Sequence, residues 1–284
     1  MNSIVSDLRT RWSLVKGALA ISMAAPDRAE RRRAATTYLT APEADGGEAA
    51  RLQADGFAPW ALPTTTKNAL IAVYRDTEAK RRGTPNKNQS SGKAFFDEAL
   101  STDDLKRHPV FLEAALDEQL LRTLIRSSGL VPHLESIDML ISSPAPGPLT
   151  ASQLWHRDVN DQVILKLFVY LEDVGPENGP FVFIPAGLSS RVPRRGSHYR
   201  SDEAVAACVG QSEWREVQGP AGTAFLIDTG NCMHYGSRCQ ARRAAYVVTY
   251  SSGLKFMDRA RSWEAIAGER AASLTSLQRL VCGF

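Results

Sequence analysis

Cysteine is scarce in this sequence, and what there is forms no pattern. Cys208, Cys232, Cys239 and Cys282 include no CxxC pair, which excludes a zinc ribbon and a thioredoxin-type redox motif. Cys232 and Cys239 bracket His234, but their uneven gaps make a poor zinc site. Low cysteine usage fits a reducing compartment, so a cytoplasmic location is expected. Charge of one sign is also lacking. Lys and Arg number 34 against 31 Asp and Glu, a net charge of +3, too little to indicate a nucleic-acid partner. No run approaches the ~18 apolar residues of a spanning helix, so no membrane partner is expected. There is no internal repeat and no low-complexity tract. Nothing in the sequence speaks to oligomeric state.

What is present is an ordinary folded composition, 43% hydrophobic and 23% charged over 284 residues. Arg9, Arg11 and Lys16 before the run Gly17–Ala25 loosely resemble a signal peptide. The better reading is an amphipathic helix, because Val5, Leu8, Trp12, Val15 and Leu19 recur every three or four residues. The basic cluster Arg28, Arg31, Arg32 and Arg33 is expected on the solvated face of a second helix. Residues 41–48 and the polar stretch 82–93 read as loops, the latter as a lid or a linker. Ser101 or Thr102, followed by Asp103 and Asp104, is a helix start. One helix is then expected from Val110 to Arg126, stopped by Gly129.

The second half reads as β. Leu134–Ser142, Val163–Leu171, Phe181–Ile184, Thr223–Ile227 and Ala244–Tyr250 are short apolar runs divided by turns. Asn178-Gly179 is a hairpin signal between the second and third. The pattern suggests a sandwich or jelly roll in a single α+β domain. A helical and loop part (1–130) packs on a jelly-roll core (131–255) and closes over its mouth, and a helical segment (256–284) ends the chain.

The five histidines can be weighed one by one. His156 stands in Trp155-His156-Arg157-Asp158. On a strand, residues i and i+2 point the same way, so His156 and Asp158 would present an imidazole and a carboxylate to one point. His234 lies 78 residues on, beside the next strand. Two His and one carboxylate match the facial triad of non-haem Fe(II) oxygenases, whose three protein ligands leave positions open for cosubstrate and O₂. His108, His133 and His198 lack such company. Nine residues past His234 stands Arg243, whose planar fork suits the far carboxylate of 2-oxoglutarate. Arg242 competes for that role, and strand alternation sends the two to opposite faces.

The segment Gln153–Gly187 resembles the phytanoyl-CoA dioxygenase-like group of Fe(II)/2-oxoglutarate oxygenases. The matching pieces are His156-x-Asp158, the strand Leu165–Leu171, the turn Asn178-Gly179-Pro180 leading to Ile184-Pro185, and His234-Tyr235-Gly236. An Arg seven residues before Tyr250 completes the set and selects Arg243. Looser similarity reaches back to Asp55-Gly56-Phe57. The chain departs from the pattern after Pro185, where Ala186-Gly187-Leu188 replaces the Gly-Ser-His of many relatives.

The resemblance implies a double-stranded β-helix (cupin-like jelly roll) and a dioxygenase using Fe(II), 2-oxoglutarate and O₂. Such an enzyme hydroxylates or otherwise oxidises a small molecule, with succinate and CO₂ as co-products. His156, Asp158 and His234 would bind the metal, and Arg243, Lys166 and Gln153 the cosubstrate. Trp155, Phe168, Arg194 and Arg195 are substrate candidates, with Trp155 better read as a core residue. Related halogenases carry a small residue where Asp158 stands, so its carboxylate argues for oxidation over halogenation. Arg191, Arg194, Arg195 and Arg200, clustered in 191–200, would favour an anionic substrate if that loop faces the mouth. The other readings are a non-catalytic jelly-roll binding protein and a cupin-type metal-dependent isomerase.

Overall fold

The computed structural model of the chain describes residues 26–39, 47–81, 95–98, 100–159, 161–253 and 262–284. The expected helix around Val5–Leu19 and the polar loop 82–93 lie outside the described residues.

The first half is helical, as its spacing requires. Helix α1 covers 26–39. Helix α2 (Glu48–Asp55) ends at Gly56, whose φ of 73° favours glycine. Strand β1 (Phe57–Trp60) follows, then α3 (Thr64–Arg81), β2 (Phe96–Glu98) and α4 (Thr102–Arg107). Ser101 caps α4: its hydroxyl accepts from Asp104 N at 3.1 Å, and the Asp104 carboxylate accepts from Ser101 N at 3.0 Å.

The single helix expected over Val110–Arg126 is two, α5 (Val110–Ala115) and α6 (Glu118–Ser128). Asp117 makes the break by turning its carboxylate onto Leu120 N at 2.8 Å. That cap contributes about 1 kcal/mol, enough to compete with one continued helical turn. Gly129 ends α6 as expected.

Strands β3 (His133–Ser142), β4 (Ile164–Tyr170), β7 (Ala224–Asp228) and β9 (Arg243–Ser251) join β1 and β2 in a six-stranded sheet of order β1-β7-β4-β9-β3-β2. All its pairings are antiparallel. Strands β5 (Phe181–Phe183), β6 (Arg215–Val217) and β8 (His234–Tyr235) form a second sheet of order β6-β5-β8. Helices α7 (Ala186–Ser189) and α8 (Asp202–Ala206) lie between β5 and β6. Two facing antiparallel sheets are the expected jelly roll.

Asn178-Gly179 does not make a hairpin. It closes a 3₁₀ turn, and the strands on either side belong to different sheets. The Asn178 amide accepts from Gly175 N at 3.0 Å and donates to Arg242 O at 2.7 Å. The turn therefore carries the chain from one sheet to the other.

Strand alternation gives the large sheet two faces with different tasks. Leu165, Leu167, Val169, Ile137, Met139, Leu226, Tyr246, Val248 and Tyr250 point outward and form the main core with the helices. Tyr250 Oη donates to Ala115 O at 2.7 Å, and Trp263 Nε1 to Leu134 O at 2.7 Å. The latter docks α9 (Trp263–Ala267), and α10 (Ser276–Cys282) docks through Gln278 Nε2 to Leu116 O at 2.8 Å. Phe168, Tyr170, Phe225, Ile227, Ala245 and Val247 point inward and pack against Phe181 and Phe183 of the small sheet. Helices α1 to α6, α9 and α10 thus cover the back of the large sheet, because the apolar stripe of β4 and β9 that they bury faces away from the interior, while α7 and α8 pack with the small sheet around Trp155.

The solvated reading of the basic cluster fails at Arg31, which is buried. Its guanidinium donates to Val131 O, Pro132 O and, at 2.8 Å, Leu280 O, and it pairs with Asp27 at 3.2 Å. It ties α1 to the start of β3 and to α10. His133 also has a partner, the Asp27 carboxylate at 2.8 Å. Arg31→Met leaves these carbonyls unpaired and should destabilise the fold by about 2 kcal/mol or more. Urea unfolding of the variant checks this, and a midpoint equal to that of wild type would contradict the bridging role.

Candidate metal centre

Two backbone hydrogen bonds build the site. His156 N donates to His234 O at 3.0 Å, and His234 N to His156 O at 2.9 Å. The two histidines, 78 positions apart in sequence, are a directly opposed antiparallel pair, so their side chains leave on one side. Their rings lie 4.3 Å apart. Residues 157–159 are not regular strand. Asp158 is set instead by its own N–H, which donates to Thr229 O at 2.9 Å. The nitrogen and oxygen ligand atoms of His156, Asp158 and His234 all fall within 4.8 Å of one another.

Both imidazoles are oriented by the same device. His156 Nδ1 lies 2.9 Å from Leu154 O, and His234 Nδ1 lies 3.0 Å from Cys232 O. A carbonyl can only accept, so each Nδ1 carries the hydrogen and each Nε2 lone pair is free for a metal. Burial lowers both pKa values, that of His234 to about 3, which keeps the rings neutral. Burial alone would raise the Asp158 carboxyl. Lys166, then His234, outweighs it and holds the group well below the usual carboxylate range. Two neutral imidazoles and one carboxylate, converging and correctly charged, are a donor set that fits a divalent first-row ion.

Arg157, between two of these residues, faces the other way. Its buried guanidinium donates to Asn231 O at 3.2 Å, to Val192 O at 3.2 Å and to Ser189 O. Burial and the nearby Arg194 and Arg200 bring its pKa down to about 10, so it stays charged. It ties the stretch before His234 to the chain after α7. The sequence signalled it only through its place inside His-x-Asp.

Arg243 and Arg242 divide as alternation requires. Arg242 points outward to Glu78 at 2.7 Å and to Tyr74 Oη at 3.1 Å. Arg243 points inward and is 6% exposed. It donates to Gly179 O and to Ser237 Oγ at 3.0 Å, with Ser142 Oγ at 3.5 Å. Its Nε has no partner, and no carboxylate pairs with it among the described residues. Ser237 holds a left-handed backbone, φ 63°, an uncommon cost for a non-glycine residue. Its hydroxyl also meets Ser142 Oγ at 2.8 Å. Neither serine stood out in the sequence, where serine is common and no spacing marks them.

The remaining candidates divide. Lys166 and Phe168 share the inner face of β4. Lys166 Nζ lies 2.7 Å from Asp158 Oδ2, at the metal end and away from Arg243. Phe168 stacks on Phe225 at 5.1 Å and lies tilted against Phe181 at 5.1 Å, and Phe181 in turn stacks on His234. Phe168 is therefore interior wall. Gln153 is spent structurally: Nε2 donates to Ser237 O at 2.9 Å and Oε1 accepts from Thr150 N at 3.1 Å. It supports Ser237 rather than facing a cosubstrate. Trp155 is fully buried between Trp214 and Tyr235, which removes it from the substrate set.

Arg194 and Arg195 are exposed, and Arg194 donates to Asn231 Oδ1 at 2.8 Å. Their loop does overhang the site. Arg200 exchanges backbone hydrogen bonds with Trp155 at 3.1 and 2.8 Å. This brings the rings of Tyr199 and His198 to 5.6 and 6.0 Å from that of His156. Among the described residues Tyr199, 36% exposed, and Val159, 67% exposed, are large apolar side chains left open beside the triad. Cys232 packs its sulfur toward Asp55 O and Gly56 O, away from a zinc role.

The family model for phytanoyl-CoA dioxygenase (PhyH) matches residues 65–244, well over half the chain. No curated protein matches the sequence. The fold is shared with solved structures, among them these two. One is the non-haem α-ketoglutarate-dependent carbocyclase SnoK from nogalamycin biosynthesis, 20% identical, covering 72% of this chain and 83% of its own, with a TM-score of 0.50. The other is EctD from S. alaskensis with 2-oxoglutarate and 5-hydroxyectoine, 18% identical, covering 75% and 80%, with a TM-score of 0.53. The chain belongs to the phytanoyl-CoA dioxygenase family and is an Fe(II)- and 2-oxoglutarate-dependent oxygenase.

Proposed function

We propose that His156, Asp158 and His234 hold the iron, that Arg243 anchors the far carboxylate of 2-oxoglutarate, and that the substrate is a small anionic molecule entering beside residues 191–200. The observation that carries the reading is the buried guanidinium of Arg243, which has an unpartnered Nε and no acid to pair with among the described residues. A buried cation in that state calls for an anion from outside. Ser142 and Ser237 add hydroxyls at the same point. When bound, iron supplies the oxygen chemistry that oxidises an unactivated C–H bond.

The chain's own residues do the rest. The Nδ1–H bonds of His156 and His234 fix which nitrogen faces the metal. Phe168, Phe181 and Phe225 form an apolar interior wall that excludes water from the cosubstrate. Tyr199 and His198 shape the mouth, and Arg194 and Arg195 put positive charge at its rim. Reaction class within the family, whether hydroxylation or another oxidation at C–H, depends on how the substrate sits against that rim.

Oxygen-dependent conversion of 2-oxoglutarate to succinate by the Fe(II)-loaded protein tests the reading; no succinate from any carboxylate or phosphate ester offered would refute it. Anionic compounds should stimulate turnover more than their neutral analogues, and the Arg194→Ala/Arg195→Ala double variant should lose the difference.

Arg243→Ala removes a charge-assisted anchor of about 2.8 kcal/mol, so half-saturation with 2-oxoglutarate should rise about a hundredfold. Fe(II) binding, measured anaerobically, should stay within a few-fold of wild type. An unchanged 2-oxoglutarate requirement would place the anchor elsewhere.

The metal-free protein should also be acid-sensitive. Burial holds His234 at a pKa of about 3 in the fold, against an ordinary value of 6.5. The unfolded chain therefore takes up a proton first as pH falls, and stability is lost progressively from about pH 6.5 toward 3. Melting of the chelator-treated protein across that range should show a shallower decline for His234→Gln than for wild type.

A further inference from the structure

Among the described residues, Lys166 is the one charged side chain inside the jelly roll whose partner is a member of the triad. Its ammonium lies 2.7 Å from Asp158 Oδ2, while Oδ1 lies 3.9 Å from His156 Nε2. The two carboxylate oxygens thus face different neighbours. Oδ2 is buried, and the Lys166 ammonium is its close polar contact. The lysine is firmly placed. It sits mid-sheet on β4, opposite Ile227 of β7 on one side and Thr249 of β9 on the other. In register Arg243 lies six positions along β9 from Thr249, toward the far end of the same inner face. The two cations therefore serve different anions.

Resting on the metal reading above, we propose that Lys166 is a positioning residue that restricts Asp158 to one metal-facing oxygen. A carboxylate beside a divalent ion binds through one oxygen or both. Three protein donor atoms leave an octahedral ion three open positions. A second oxygen from Asp158 takes one of them. A 2-oxo acid that chelates needs two adjacent positions, and O₂ needs another, so a chelating aspartate removes what the reaction requires. A neighbouring cation engaged with Oδ2 prevents this without closing a position itself. This is an outer contact that sets how a ligand binds. It also accounts for a lysine on a strand whose neighbouring positions on the same face are isoleucine and phenylalanine.

Mn(II) is the test metal, because the exchangeable waters on bound Mn(II) are counted by proton relaxation without turnover. Wild type and Lys166→Arg should carry the same number. Lys166→Met should bind Mn(II) at least as well as wild type but carry one water fewer. Its dissociation constant for 2-oxoglutarate, measured anaerobically with Fe(II), should rise about tenfold. Should the methionine variant fail to fold, Lys166→Gln, uncharged and shorter, should show the same loss of one water. A neutral variant with an unchanged water count and unchanged 2-oxoglutarate affinity overturns the proposal and leaves the metal centre standing. Wild-type protein that takes up neither Mn(II) nor Fe(II) instead overturns the metal centre, and the proposal with it.

Discussion

The site depends on one reciprocal pair of backbone hydrogen bonds, between His156 and His234. Each bond contributes only about 1 kcal/mol net to stability, so their importance is geometric. A directly opposed antiparallel pair fixes both Cα–Cβ directions at once, and the carbonyls of Leu154 and Cys232 then fix both ring orientations. Asp158, Arg157 and the chain before His234 are hung on the same pair, through Thr229 O and Asn231 O. Two segments that the sequence keeps far apart thus become one rigid rim.

Around that rim the protein distributes positive charge with economy. Arg31, Arg157, Lys166 and Arg243 are each drawn into the structure, and each has a different kind of partner. Arg31 takes carbonyls and Asp27, Arg157 takes carbonyls alone, and Lys166 takes Asp158. Arg243 takes hydroxyls and one carbonyl and is left short of an acid among the described residues. Carbonyls and hydroxyls carry partial charge only, so they orient a guanidinium without neutralising it. The two differ at Nε, which in Arg157 donates to Asn231 O and in Arg243 has no partner, and that is why Arg243 is proposed as the anchor for an incoming dianion while Arg157 ties two loops together.

The large sheet separates stability from chemistry by its two faces. The outward face buries the helices, with Tyr246 and Tyr250 closing hydrogen bonds to α5. The inward face carries Lys166, the phenylalanine wall and Arg243 in order along the sheet. One residue of slip in β4 would exchange these faces and move Lys166 into the helical core. Burial on both sides therefore holds the register that the metal site needs.

Much of this was legible in the sequence, for reasons of periodicity and coordination chemistry. Short apolar runs divided by turns located β3, β4, β7 and β9, and alternation separated Arg242 from Arg243. His-x-Asp, a distant His and a following Arg pointed to the three residues the fold brings within 4.8 Å of one another and to the buried Arg243. What the sequence could not decide depended on through-space partners. Asp117 broke a helix that spacing alone would continue, because a side-chain cap competes with helix propagation. Asn178-Gly179 carried a hairpin signal but joined two sheets, since a local turn does not specify which strands pair. Gln153 and Trp155 lay close to the motif yet turned to other work, and Ser142, Ser237 and Tyr199 joined the site with no local mark. The sequence by itself determined the donor types and the periods of the elements, because both are properties of residues and their spacing. Only the tertiary structure decided which oxygen of Asp158 faces Lys166 and which cation is left waiting for an anion, because burial and pairing are properties of the whole fold.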